Sequence, residues 1–152
     1  MSLSYFKKLG EGAFTSVYFL RRKQDSKIYS IKRTKMAILS EKEIEQVLNK
    51  IRILASLNHK NIIWYKDSFR HQRTSNLNII LEYTDDGDIK SKIKENRKRH
   101  LYFSENTIWN WVIQILEGIY YLNSNKIMHR DLKSDNIFLM KNDTLKLWNL
   151  GV

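Results

Sequence analysis

Near the start of the chain, three short runs, Tyr5 to Leu9, Ser16 to Arg21 and Lys27 to Arg33, alternate apolar with polar positions or gather β-branched and aromatic residues. Turn signals at Gly10-Glu11-Gly12 and Gln24-Asp25-Ser26 separate them, so they predict strands. The period then changes. Ile44, Val47, Leu48, Ile51 and Leu54 recur at helical spacing, and Ser40 with Glu43 three residues on forms a capping-box pattern, predicting a helix from about Glu41 to Leu57. Strands resume at Ile62 to Phe69 and Leu77 to Tyr83 around a polar hairpin loop.

After Ser104 a longer helix is predicted, with one apolar stripe from Ile108, Val112, Ile115, Ile119 and Leu122 and a second from Trp109, Leu116 and Tyr120. Trp111 and Ile113 add more. A helix apolar on most sides is expected to be buried. Ile137 to Met140 and Leu145 to Leu147 read as a closing hairpin around Lys141-Asn142-Asp143-Thr144. Strands, helix, strands, long helix, loop and hairpin make an α+β order. With no Gly/Ser linker, repeat or low-complexity tract, the 152 residues read as one folding unit.

Composition narrows the classes. A hydrophobic content of 42% fits a folded core. No apolar stretch approaches the roughly 20 residues needed to span a bilayer, and Met1 to Lys8 lacks the apolar centre of a signal peptide. The absence of cysteine excludes a disulfide framework and thiolate metal sites. An intracellular protein is the expectation. A formal charge of +11 favours acidic partners. Part of it lies at Lys90, Lys92, Lys94, Arg97, Lys98 and Arg99, which read first as a solvated helix face. A nucleic-acid role rests on charge alone, since there is no basic-aromatic RNA motif and no zinc-finger spacing.

Four motifs carry chemistry. Gly10-Glu11-Gly12-Ala13-Phe14-Thr15-Ser16-Val17, between two strands, has the form of a glycine-rich loop whose backbone N–H groups can approach phosphates. Tyr29-Ser30-Ile31-Lys32 places a lysine on the third strand. His129-Arg130-Asp131-Leu132-Lys133-Ser134-Asp135-Asn136 follows the long helix, and Leu147-Trp148-Asn149-Leu150-Gly151 follows the hairpin.

Together these motifs resemble the protein kinase domain, and three stretches resemble its NIMA-related (NEK) Ser/Thr branch: Lys50 to His59, Glu82-Tyr83-Thr84-Asp85-Asp86-Gly87-Asp88, and His129 to Leu139. The resemblance implies a kinase-like N-lobe, an antiparallel sheet plus one helix over residues 1–83, and an incomplete helical C-lobe over residues 84–152. It implies ATP and magnesium as ligands. Gly10, Gly12, Val17, Lys32, Glu82, Tyr83 and Asp88 would hold nucleotide, Asp131 would be the base with Lys133 beside it, and Asn136 and Asn149 would stand at the metal positions. His129 reads as a packing residue and Arg130 as an exposed or locally paired cation.

The sequence departs from the family pattern at several positions, Thr15 standing where the loop has its third glycine. The helix position that carries a glutamate to orient the strand lysine is Lys50, so a cation would face a cation, and Lys50 is expected to turn to solvent, leaving Lys32 without that partner. Glu43 and Glu45 are not obvious substitutes. The metal-binding aspartate is Asn149, a neutral carbonyl where magnesium favours carboxylate oxygen, and loss of such an element commonly costs on the order of 100-fold in rate. Trp148 replaces a small residue.

The pattern also ends before the activation segment and the helices that carry a peptide substrate. If the chain is the whole product, the helix over 108–122 is left uncovered. The expectation is therefore a degenerate, pseudokinase-like module whose helix 108–122 is buried by a protein partner. Tubulin or another acidic protein in a cytoskeletal or ciliary assembly fits by analogy, nucleic acid less well and membrane not at all. The alternative is an ATP-binding Ser/Thr kinase, or a fragment of one, with weak residual activity through Lys32, Asp131 and Asn136.

Overall fold

The computed structural model describes residues 3–23, 26–71 and 74–149, with side chains from Lys7 onward. Gln24, Asp25, Leu150 and Gly151, which entered the turn and motif readings above, lie outside the described residues. The chain divides into two compact units, Met1–Leu57 with Trp64–Tyr83, and Asn58–Ile63 with Thr84–Val152.

Unit 1 is built on a five-stranded antiparallel sheet in the order β1-β2-β3-β5-β4, from β1 (Leu3–Glu11), β2 (Thr15–Arg22), β3 (Ile28–Lys35), β4 (Tyr65–Arg70) and β5 (Asn76–Glu82). Each predicted strand is present, with bounds shifted by a few residues. β1 and β2 pair with irregularities between Tyr5 and Lys7 and between Lys8 and Gly10, the second next to a glycine, where the absent side chain lets a strand bend. β5 lies between β3 and β4, and all five of its inner residues are buried, as an interior strand requires. Leu20, Tyr29, Ile31 and Ile80 form the core cluster.

The helix α1 (Glu41–Ser56) starts at the predicted box. Ser40 Oγ accepts from the Glu43 amide, and the Glu43 carboxylate accepts from the Ser40 amide at 2.8 Å, satisfying two donors that a helix end otherwise leaves open. Ile51 and Leu54 carry its buried stripe, whereas Leu48 stays 38% exposed. The predicted strand from Ile62 begins only at Tyr65. Ile62 and Ile63 belong to unit 2, where the Ile63 amide donates to the Leu147 carbonyl and the Leu147 amide to the Asn61 carbonyl.

Unit 2 holds α2 (Ile89–Lys98), α3 (Glu105–Ser124) and the hairpin of β6 (Ile137–Leu139) and β7 (Leu145–Leu147). α2 is the element absent from the predicted order. Its sequence is too polar for an apolar stripe to announce it, and Asp88 sets its start by accepting from the Ser91 amide at 2.8 Å. Arg97 and Lys98 in the last turn suit the negative end of the helix dipole. The basic run is thus on a helix with Lys90, Lys94, Arg97 and Lys98 exposed.

Leu122, Ile62, Leu145 and Leu147 are at most 2% exposed and make the core of unit 2. α3 corrects an expectation. It is not buried on most sides, because Ile108, Trp109, Ile113, Leu116 and Tyr120 are between 48% and 75% exposed and only Gly118 and Leu122 are fully buried. The reason is closeness on one side only. A Cβ on Gly118 would stand 2.7 Å from the Leu147 side chain and 3.4 Å from the Asn61 carbonyl, so α3 meets the hairpin at its smallest residue, with Leu122 one turn on in the core and Trp109, Ile113, Leu116 and Tyr120 exposed. Asn61, buried at 1%, ties the three parts together by donating to Gln114 Oε1 at 2.9 Å and to the Leu145 carbonyl at 3.0 Å.

Candidate functional site

In unit 1 the motif residues lie along the β1 to β3 strands. Register places Gly10 opposite Val17 and Val17 opposite Lys32, so the glycine-rich segment and the strand lysine share one strip of sheet. Gly12 closes the turn between β1 and β2, its amide donating to the Thr15 carbonyl at 2.7 Å. A Cβ on Gly10 would meet nothing within 4 Å, so open space lies over that position. Lys32 is half-buried. Desolvation lowers its pKa, and the charge of Lys50 lowers it further. Lys50 is exposed on α1, so it both faces solvent and bears on Lys32. Glu43 is committed to the α1 cap.

At the far end of β5, the Glu82 carboxylate accepts from the Trp64 amide at 2.6 Å, and Tyr83 packs edge-on against Phe19 at 4.9 Å between ring centres. Within unit 2, Asp88 is the α2 cap, its second oxygen accepting from the Ser91 hydroxyl.

The second group of motif residues converges on one carboxylate. Asp131 Oδ1 is 2.9 Å from Lys133 Nζ. Asp131 Oδ2 accepts from Asn136 Nδ2 at 2.8 Å and from Asn149 Nδ2 at 3.3 Å, while Asn136 Nδ2 also donates to the Asp131 carbonyl. These contacts have local causes. The residues 134–136 form a 3-10 turn that points Asn136 inward, and the hairpin returns the chain so that the Trp148 amide donates to the Asn136 carbonyl. Asn149 then takes φ 63°, a left-handed value that asparagine tolerates better than most residues. Trp148 is half-buried.

The donors determine what the carboxylate can do. Its hydrogen bond from Lys133, followed by that from Asn136, holds the Asp131 pKa below the usual aspartate range, with a smaller contribution from Asn149. A carboxylate so stabilised is a weak proton acceptor. For magnesium, the side chains at the two metal positions turn their N–H groups to Asp131 and keep only neutral amide oxygens for a ligand. Among the described residues no group of three or more His, Asp or Glu side chains could hold a metal ion. This donor set does not fit a resident divalent cation, which favours charged oxygens.

His129 is 8% exposed, and desolvation lowers its pKa. It packs. Arg130 is exposed, at φ 59°. Asn61 and Gln114 escaped the sequence reading although they brace the hairpin that presents Asn149, with Gln114 Oε1 also accepting from the Leu145 amide at 2.8 Å. In the sequence Asn61 stands between Lys60 and Ile62 with nothing to mark it as buried.

Comparison with known proteins agrees with the motifs. The protein kinase domain model matches residues 3–152. The chain is 34% identical over 146 residues to serine/threonine-protein kinase Nek1 of Mus musculus, covering 96% of this chain and 12% of that protein. It is 37% identical over 147 residues to serine/threonine-protein kinase Nek5 of Homo sapiens, covering 96% and 20%. A probable serine/threonine-protein kinase nek2 of Dictyostelium discoideum is 35% identical over 147 residues, covering 95% and 35%. The chain therefore spans about a third or less of the length of these relatives.

Proposed function

The chain belongs to the protein kinase domain family, Nek-like over nearly its whole length, and from that premise we propose that it is a pseudokinase module that lacks magnesium-dependent phosphoryl transfer and works by binding another protein. The observation that carries the proposal is the hydrogen bond from Asn149 Nδ2 to Asp131 Oδ2. Where the family has a carboxylate for metal, this chain has an amide that spends its N–H groups on the base itself. Lys50 in place of the helix glutamate supports the same reading, since it opposes the charge of Lys32 instead of balancing it.

The binding role is supported by Trp109, Ile113, Leu116 and Tyr120, exposed along α3, since apolar side chains gathered on one helix favour burial against a partner. The charge of +11 favours an acidic one. A place in an intracellular cytoskeletal or ciliary assembly, with acidic tubulin as the partner, is the form of the proposal that the NEK resemblance suggests. No helix among the described residues is long and apolar enough to cross a membrane.

The second reading, an ATP-binding Ser/Thr kinase with weak activity, draws on the uninterrupted run from His129 to Asn136 and on Lys32. The test between them is ADP formation from ATP with magnesium and a general protein substrate. The pseudokinase reading expects wild type and Asp131→Asn to be equal at background. Turnover that Asp131→Asn abolishes would establish the kinase instead.

A further inference from the structure

Deepening the reading of a module that binds an acidic protein, on which it rests, we infer that Lys94, Arg97 and Lys98 on the outward side of α2 form, within unit 2, the surface that receives the partner's acidic segment. The ligand chemistry is an extended polypeptide run with carboxylates at alternate positions, lying along the helix.

Helical spacing makes the surface. Lys90, Lys94, Arg97 and Lys98 stand at i, i+4, i+7 and i+8, on one side of α2, with Ile93 at the border. All five are exposed, whereas Ile89 is buried and Lys92 and Asn96 are half-buried. The basic side therefore faces away from the 134–136 turn and β6, against which α2 lies. Leu101 and Tyr102, just past the end of the helix, are exposed as well. The carboxylates nearby are already engaged. Asp135 is 2.7 Å from Lys90, Asp86 is 2.6 Å from Lys92, and Glu95, the acidic residue of α2, is 3.4 Å from Arg99, while Asp88 caps the helix. Lys94, Arg97 and Lys98 have no ion pair among the described residues.

Like charges three and four residues apart on a helix repel one another. The helix dipole offsets this for Arg97 and Lys98 in the last turn. It does less for Lys94, one turn earlier, which neighbours both. An acidic segment that touches all three relieves their repulsion at once. The spacing selects the form of that segment. Lys94 and Lys98 are four residues apart, about 6 Å along the axis, and alternate residues on one face of an extended chain are about 6.6 Å apart. Two successive carboxylates on that face can thus meet Lys94 and Lys98, with the planar fork of Arg97 between them. Ile93 and Leu101 add aliphatic contact, which suits polypeptide side chains better than a sugar-phosphate backbone.

The experiment is fluorescence anisotropy of a labelled peptide of alternating glutamate and serine, titrated with the 152-residue chain at low and at physiological salt. Wild type is compared with Lys94→Glu/Arg97→Glu/Lys98→Glu and with Lys42→Glu/Lys126→Glu/Lys141→Glu, which makes the same change of net charge at exposed positions elsewhere. The α2 variant should weaken binding on the order of tenfold or more and the control far less. Should the α2 variant not melt cooperatively, Lys94→Gln with Lys98→Gln carries the test, against Lys42→Gln with Lys126→Gln, with a smaller loss expected in the same order. A peptide with the same glutamates gathered at one end should bind more weakly, and equal binding would overturn the extended pose. No binding to folded wild type, or equal weakening by α2 and control variants, overturns the site. A single-stranded oligothymidylate that binds more tightly than the peptide through the same three residues would give the surface to nucleic acid and overturn it too. ADP formation measured on the same preparations separates the two readings. Failure to bind peptide without turnover sinks this inference and leaves the pseudokinase reading standing, while magnesium-dependent turnover that Asp131→Asn abolishes sinks the pseudokinase reading alone.

Discussion

Asn149 donates from Nδ2 to Asp131 Oδ2 at 3.3 Å, so a residue at a metal position is hydrogen-bonded to the residue at the base position. With Lys133 on the other oxygen, the carboxylate is held by groups of its own chain.

Lys133 is the largest cause of the lowered Asp131 pKa and Asn149 the smallest of the favourable ones. Carbon-detected NMR titration should find Asp131 below the ordinary value of about 3.9, rising markedly in Lys133→Met and slightly in Asn149→Ala. A folded-state pKa below the unfolded one contributes stability above the unfolded value, and that contribution is lost as pH falls through the folded value. Lys133→Met should therefore melt with a smaller acid dependence below about pH 4 than wild type. An Asp131 that titrates normally in wild type would show that the hydrogen bonds do not hold in solution.

Gly118 tests the packing of α3 on the hairpin. Its missing Cβ leaves the room that Leu147, 1% exposed, and Asn61 occupy. Gly118→Val should destabilise by about 1–3 kcal/mol through overpacking, read from urea unfolding. Unchanged or raised stability would mean that the hairpin yields easily.

For the α1 box, Ser40→Ala removes the acceptor for the Glu43 amide. A loss of about 0.5–2 kcal/mol is expected, measured by the same unfolding curve. Ser40→Asp should restore most of it.

Ile113 and Leu116 are 55% and 58% exposed. Ile113→Gln with Leu116→Gln should change stability by no more than about 0.5 kcal/mol each and reduce the binding of an apolar dye such as ANS. A large loss of stability would show that α3 is packed inside the chain's own folded state.

The sequence made most of the fold legible where one signal decided the matter. The Ser40/Glu43 box and the Ile51 and Leu54 stripe located α1, and alternation with turn residues located the strands. It failed where two signals competed. α2 has no strong apolar stripe, and its start depends on Asp88, whose place in the family motif drew attention to nucleotide instead of to a cap. Ile62 and Ile63 look like the beginning of β4, but backbone bonds to Leu147, 84 residues on from Ile63, claim them for unit 2. The apolar content of α3 suggested burial, and only the close approach at Gly118 reveals which side is covered.

Of the candidate site, the residue types at Asp131, Lys133, Asn136 and Asn149 were legible from motif spacing. That both asparagines give their N–H groups to Asp131 was not, because it depends on the 3-10 turn at 134–136 and on the left-handed backbone of Asn149. The Lys32 and Lys50 confrontation was legible from position alone, and the exposure of Lys50 agrees with the expectation that it turns to solvent.

The amide of Asn149 puts a neutral oxygen beside Asp131 where a divalent ion favours a carboxylate. The most direct measurement is a titration of Mn2+ into the 152-residue chain, following the free-ion EPR signal, for wild type and Asn149→Asp. Wild type is expected to leave the signal of the free ion unchanged, and Asn149→Asp, which sets two carboxylates side by side, to remove it on binding. A stoichiometric site in wild type that Asn149→Ala abolishes would return the chain to the magnesium-using kinases.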